Sequence, residues 1–160
     1  MNKIYLWLWA NVWDKEKNIL KAINLLSKNI FNIKKSNIYK TKPFWETDQE
    51  NFLNLVVYWE TELSPENLLI FLKEIEKEIW RVNRYRWWPR EIDIDILFYE
   101  DLIFETENLI IPHIWIPERD FVLKPMLDLE TNFIHPKLKK SVSKLFEELN
   151  SENYTIIWIF

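Results

Sequence analysis

Arg90-Glu91-Ile92-Asp93-Ile94-Asp95-Ile96-Leu97-Phe98-Tyr99 is the stretch on which the fold turns. Ile92 to Tyr99 reads as a strand, because side chains alternate between the two faces of a strand. Ile92, Ile94 and Ile96 then point to the core, and Asp93 and Asp95 share the opposite face. Working outward, the basic loop Arg81 to Arg90 precedes this strand. Before the loop comes Ser64-Pro65-Glu66, a helix start with an N-cap, proline at the first position and an acid in the first turn. Leu68, Phe71, Leu72, Ile75 and Ile79 continue that helix at helical spacing. Phe52 to Thr61 is a strand rich in branched and aromatic residues. Lys40 to Asn51 is a polar loop, and Ile33 to Tyr39 reads as another strand. Lys15 to Ser27 is a helix capped by Asp14, with Ile19, Ala22, Ile23 and Leu26 on one face. Lys3 to Leu8 opens the chain as a strand.

The order is therefore β-α-β-β-α-β, the ferredoxin-like arrangement. The fold class is α+β with a mostly antiparallel sheet. The rest of the chain adds a hairpin over Leu102 to Ile111, helices near Pro117 to Leu127 and Val142 to Leu149, and a last strand, Tyr154 to Ile159. The expectation is one domain over residues 1–160.

Composition narrows the class. Hydrophobic residues make up 48% and charged residues 29%. The net charge is −4, which argues against a sequence-independent nucleic-acid binder. There is no cysteine, so there is no disulfide framework and no thiolate metal site. The apolar run Ile4 to Val12 is far short of a membrane span and lacks a cleavage site. The expectation is a cytoplasmic monomer that engages neither membrane nor nucleic acid.

Two carboxylates about 7 Å apart along a strand suit divalent ions. An Asp-x-Asp pair is equally what the acidic outer face of a half-exposed strand looks like. The neighbouring loop bears on the choice, because Arg81, Arg84, Arg86 and Arg90 lie within it. Guanidinium forks match phosphate oxygens and stay charged. The alternative is a solvated loop that balances nearby acids.

The chain has 10 tryptophans and no glycine. Average usage would give a chain of this length roughly 11 glycines. Tryptophan stands where a tight turn or close backbone approach wants glycine, as in Leu6-Trp7-Leu8-Trp9-Ala10-Asn11-Val12-Trp13-Asp14. Our hypothesis is that Trp7, Trp9, Trp13, Trp45, Trp59, Trp80, Trp88, Trp115 and Trp158 are glycine in the native protein, their codons being UGA. The intact mass of the natively expressed protein tests this. The expected mass is that of the glycine form, and a mass matching the tryptophan sequence rejects it.

Arg86-Trp87-Trp88-Pro89-Arg90 followed by Asp93-Ile94-Asp95-Ile96-Leu97 resembles the signature of the 6-hydroxymethyl-7,8-dihydropterin pyrophosphokinase family. Trp88 stands where that family has Gly or Ala. Tyr5 to Asp14 is similar to the family's opening, Y-L-G-L-G-S-N-L-G-D, with each glycine replaced by tryptophan. Trp80-Arg81, Pro112-His113, Arg119 and Phe121-Val122-Leu123 with Pro125 extend the likeness along nearly the whole chain.

The resemblance implies transfer of diphosphate from ATP to the pterin hydroxymethyl group, with release of AMP. It implies Asp93 and Asp95 as ligands of two Mg²⁺ ions, and Arg81 and Arg90 as stabilisers of developing charge. Thr41, Pro43, Phe44, Asn54, Trp87 and Phe121 fall on the pterin side. Lys73, Glu76, Arg84, Trp87, Arg90, Ile96, His113 and Arg119 fall on the nucleotide side. Trp87 is the one tryptophan expected to be genuine. Asn83, Asn108 and Ile114 depart from the family's usual residues, and His135 reads as structural. Two other readings remain at this point. One is a silent binding domain, if the tryptophans are real. The other is a ferredoxin-like module that stacks RNA on aromatics.

Overall fold

The computed structural model describes residues 1–12, 14–27, 33–44, 48–79 and 91–160. The basic loop, with Arg81, Arg84, Arg86, Trp87, Trp88 and Arg90, lies outside the described residues, as do Trp13, Trp45 and Trp80.

The first strand, β1 (Asn2–Ala10), runs through the middle of the sheet. Helix α1 (Lys15–Ser27) buries Ile19, Ala22, Leu25 and Leu26. The next expected strand is broken into β2 (Lys34–Lys35) and β3 (Tyr39–Thr41). The break has a local cause. The Ser36 hydroxyl accepts from the Val56 N–H, and the Asn37 N–H donates to Asp128, so side chains take over part of the ladder between the two pieces, while the Ser36 N–H still donates to the Val56 carbonyl. Strand β4 (Phe52–Thr61) and helix α2 (Pro65–Ile79) follow as expected. Ser64 caps α2, its hydroxyl accepting from the Asn67 N–H.

Strand β5 (Asp93–Tyr99) pairs with β1. A short hairpin of β6 (Phe104–Glu105) and β7 (Ile110–Ile111) comes next. A 3-10 turn at Ile116–Glu118 leads into α3 (Asp120–Leu129). Helix α4 (Val142–Glu147) and β8 (Ile156–Ile159) complete the order. The main sheet runs β5-β1-β4-β3-β8, with β2 beside β4, and every pairing is antiparallel. This is the split β-α-β layout that the element order implied.

Alternation along the strands builds a core on each face of the sheet. Ile4, Leu6, Leu8 and Ala10 of β1 meet α1 and α2, together with Leu53, Leu55, Ile94 and Ile96. Tyr5 and Trp7 meet the other layer, where Val122, Leu123 and Met126 of α3 and Val142 and Leu145 of α4 pack. The aspartate face of β5 is therefore covered by protein. Asp93 is only 3% exposed, so it is no part of a solvated acidic face.

The tryptophans correct one element of the turn argument. Trp7 and Trp9 lie inside β1, in extended backbone, and positive φ occurs among the described residues only at Glu100 and Lys139. Glycine at 7 and 9 is not required by dihedral angle. Room above the sheet is the remaining reason.

Candidate active site

The sheet register sets the site. Trp9 of β1 stands between Asn54 of β4 and Asp93 of β5, and Trp7 stands between Val56 and Asp95. Strands are about 4.8 Å apart, so Asn54 and Asp93 sit about 10 Å from each other across position 9. One face thus carries the Asn54 amide on one side and two carboxylates on the other.

The amide side is fixed by a short chain of bonds. Asn54 is 2% exposed, and its Nδ2 donates to Thr41 Oγ1 at 2.9 Å. Its Oδ1 accepts from the Trp7 Nε1 at 3.1 Å. Thr41 is buried, and Phe44 stands edge-on to Phe121 at 6.1 Å. Pro43 is half-buried beside Phe44 in sequence. The structure therefore gathers Thr41, Asn54, Phe44 and Phe121, as the sequence led us to expect. It adds Phe52, which sequence reasoning missed. Phe52 and Asn54 share a face by the two-residue period of β4, and that period was the available signal.

On the carboxylate side, Lys73 and Glu76 of α2 reach β5. Lys73 Nζ lies 2.8 Å from Glu76 Oε1 and 3.2 Å from Asp93 Oδ1. Glu76 Oε1 also accepts from the Ile94 N–H at 2.8 Å. Burial pushes the Glu76 carboxyl up to about 8, with Asp93 adding to the rise and Lys73 opposing it. Folded chain then keeps a proton that unfolded chain has released above about pH 4.5. Stability contributed here is lost as pH rises from about 4.5 to about 8. Metal-free Glu76→Gln should show a shallower fall in stability across that window, read by denaturant unfolding at several pH values.

Arg119 comes from the start of α3 and is 6% exposed. Its guanidinium lies over Trp7 at 5.3 Å, Trp115 at 5.1 Å and Phe121 at 5.6 Å. Burial lowers it to about 10, while Asp95 and Glu118 pull it back up. His113 packs edge-on to Trp7, and its Nδ1 accepts from the Trp115 N–H at 3.3 Å. Burial, then Arg119, lowers His113 to about 4, so the ring is neutral at pH 7. Its Nε2 carries the proton and is the donor. His135 does structural work instead, its Nδ1 accepting from the Lys137 and Leu138 N–H groups. Ile96 lies on the opposite face from the aspartates, in the core against α1 and α2. Arg81, Arg84, Arg90 and Trp87 lie outside the described residues.

Among the described residues no three metal-ligating side chains converge. Asp93 and Asp95 nevertheless suit Mg²⁺. The ion takes one or two carboxylates and completes its shell with water and phosphate oxygens.

Comparison with known proteins decides the family. The family model "7,8-dihydro-6-hydroxymethylpterin-pyrophosphokinase (HPPK)" matches residues 5–131. The chain belongs to this family. It is 42% identical over 148 residues to the 2-amino-4-hydroxy-6-hydroxymethyldihydropteridine pyrophosphokinase of Aquifex aeolicus, covering 92% of each chain. It is 41% identical over 152 residues to folic acid synthesis protein FOL1 of Dictyostelium discoideum, covering 95% of this chain but 23% of that protein. Among solved structures, wild-type Plasmodium falciparum HPPK-DHPS superposes with a TM-score of 0.71 at 19% identity, over 92% of this chain and 43% of that one. That likeness supports the fold. No helix among the described residues is long and apolar enough to cross a membrane.

Proposed function

We propose that this HPPK-family chain transfers the terminal diphosphate of ATP to the hydroxymethyl group of 6-hydroxymethyl-7,8-dihydropterin, releasing AMP, in folate biosynthesis. The observation that carries the reading is the placement of Asn54 and the Asp93/Asp95 pair on one sheet face, two strands apart. A substrate with a flat amide-bearing ring and a reacting hydroxyl spans such a gap.

In the reaction the pterin hydroxyl oxygen bonds to the β-phosphorus. The bond from that phosphorus to the α–β bridging oxygen breaks, and AMP leaves with the oxygen. The hydroxyl proton is released. Such transfers depend on alignment and charge neutralisation more than on covalent help from the protein. Asp93 and Asp95 would hold two Mg²⁺ ions, which supply Lewis-acid neutralisation of the phosphates and a lowered hydroxyl pKa. Asn54 and Thr41 orient the ring by its amide edge, with Phe44 and Phe121 as apolar walls. Arg119 supplies fixed positive charge beside Asp95, and neutral His113 offers an N–H. Lys73 and Glu76 hold Asp93 in place from α2, next to the triphosphate. Arg81, Arg84 and Arg90 would grip the phosphates from the basic loop, and Trp87 would cover both substrates. The protein acts as one domain, as a monomer, in the cytoplasm.

The test is release of AMP from ATP and the reduced pterin, magnesium-dependent, by chain carrying Trp7→Gly and Trp9→Gly. Asn54→Ala in that background should raise the pterin KM by about 10- to 100-fold with a smaller change in kcat, because a buried reader of the ring is lost. An unchanged KM would remove Asn54 from the ring site.

A further inference from the structure

We propose that the indoles of Trp7 and Trp9 fill the ring slot of this chain, so that the residues at positions 7 and 9 decide whether substrate enters. The ring's identity rests on the pyrophosphokinase reading above; the filled slot is read from geometry. Four aromatic groups contact one another in sequence on this face, the two indoles stacked and the Phe contacts tilted by 40° and 54°. Phe121 lies 5.6 Å from Trp7, Trp7 lies 5.5 Å from Trp9 at an interplanar angle of 26°, and Trp9 lies 5.6 Å from Phe52. Phe121 and Phe52 are thus end walls, and two flat bicyclic rings already lie between them.

The polar contacts follow the same pattern. Trp7 Nε1 donates to Asn54 Oδ1 at 3.1 Å, using the acceptor that would read the pterin. Trp9 Nε1 donates to Asp95 Oδ2 at 3.0 Å, using an oxygen that would hold metal. Each indole reaches diagonally, one toward the amide side and one toward the carboxylate side. Trp7 is 3% exposed, so an incoming ring has no room until it leaves. With glycine at both positions, bare β1 backbone becomes the floor of a slot walled by Phe52 and Phe121, with Asn54 at one side and the aspartates at the other.

A third tryptophan of the sheet lacks the polar contact that the first two make. Trp59 sits in the other core against Phe71, and among the described residues its buried Nε1 finds no hydrogen-bond acceptor. A buried donor without an acceptor is destabilising.

The experiment compares chain with tryptophan at 7 and 9 against Trp7→Gly/Trp9→Gly. Binding of fluorescent 6-hydroxymethylpterin is measured with magnesium and a non-hydrolysable ATP analogue. AMP release from ATP and the reduced pterin is measured separately. Apparent affinity scales with the fraction of molecules whose slot is open, so the double variant should bind at least about 100-fold more tightly. Equal affinity of the two chains overturns the proposal, and so does a double variant that is folded by circular dichroism and binds no pterin. If the double variant is unfolded, Trp7→Gly alone serves. It frees Asn54 Oδ1 and one layer of the stack and should tighten binding about 10-fold, and no change overturns the proposal. A double variant that binds pterin yet releases no AMP leaves the slot assignment standing and defeats the pyrophosphokinase reading instead.

Discussion

Asp93→Ala and Asp95→Ala, each made in the Trp7→Gly/Trp9→Gly background, will lower magnesium-dependent AMP release by about 10³-fold or more. Both side chains project from one face of β5, where Asp93 is buried and Asp95 half-buried. A buried carboxylate needs partners, and Lys73 supplies one from α2. In the proposed reaction magnesium would neutralise the triphosphate, and the two carboxylates would hold it on the protein side. Losing either should therefore lower kcat far more than it raises the pterin KM, since the proposed reader of the ring, Asn54, lies two strands away. Circular dichroism and the thermal midpoint of each variant check that the fold survives. A variant that is folded and retains parental kcat would remove that aspartate from the reaction.

Asp120→Ala will produce the largest loss of stability, about 3 kcal/mol or more. Asp120 is 0% exposed and opens α3. Its carboxylate accepts from the Thr155 N–H at 2.7 Å, from the Thr155 hydroxyl at 2.7 Å and from the Ile156 N–H at 2.9 Å. These three bonds tie the start of β8 to the helix that carries Phe121 and Arg119. Alanine leaves three donors without an acceptor, two of them on backbone. For a chain of this size the thermal midpoint should drop by on the order of 10 °C. Thr155→Val removes only the hydroxyl contact and should cost about 1 kcal/mol. Equal effects of the two substitutions would show that the backbone bonds to Asp120 contribute little.

The strands and helices were legible where one periodicity ran uninterrupted. β4 and both long helices follow directly from alternation, from Ser64-Pro65 and from the apolar faces of α1 and α2. The segment from Ile33 to Tyr39 was not, because Ser36 and Asn37 bond through side chains and split the strand. Asp93 and Asp95 were legible as a pair on one face. The burial of Asp93 was not, because it depends on a group from another element, Lys73 reaching it from α2. Phe52 escaped notice because a large aromatic in a strand reads as packing until its contact with Trp9, beside Asn54, is seen. The tryptophans were legible as an anomaly of composition. Their consequence was legible only in space, where the indoles of β1 turn up between Phe52 and Phe121.

In the proposed reaction a pterin hydroxyl held between Asn54 and the two aspartates attacks the β-phosphorus of ATP. The identity of the nucleotide released when the Trp7→Gly/Trp9→Gly chain meets ATP, magnesium and the reduced pterin decides it. AMP is expected, formed one-for-one with the pterin diphosphate and only when the pterin is present. Release of ADP, or AMP formed at the same rate without the pterin, would rule the reaction out.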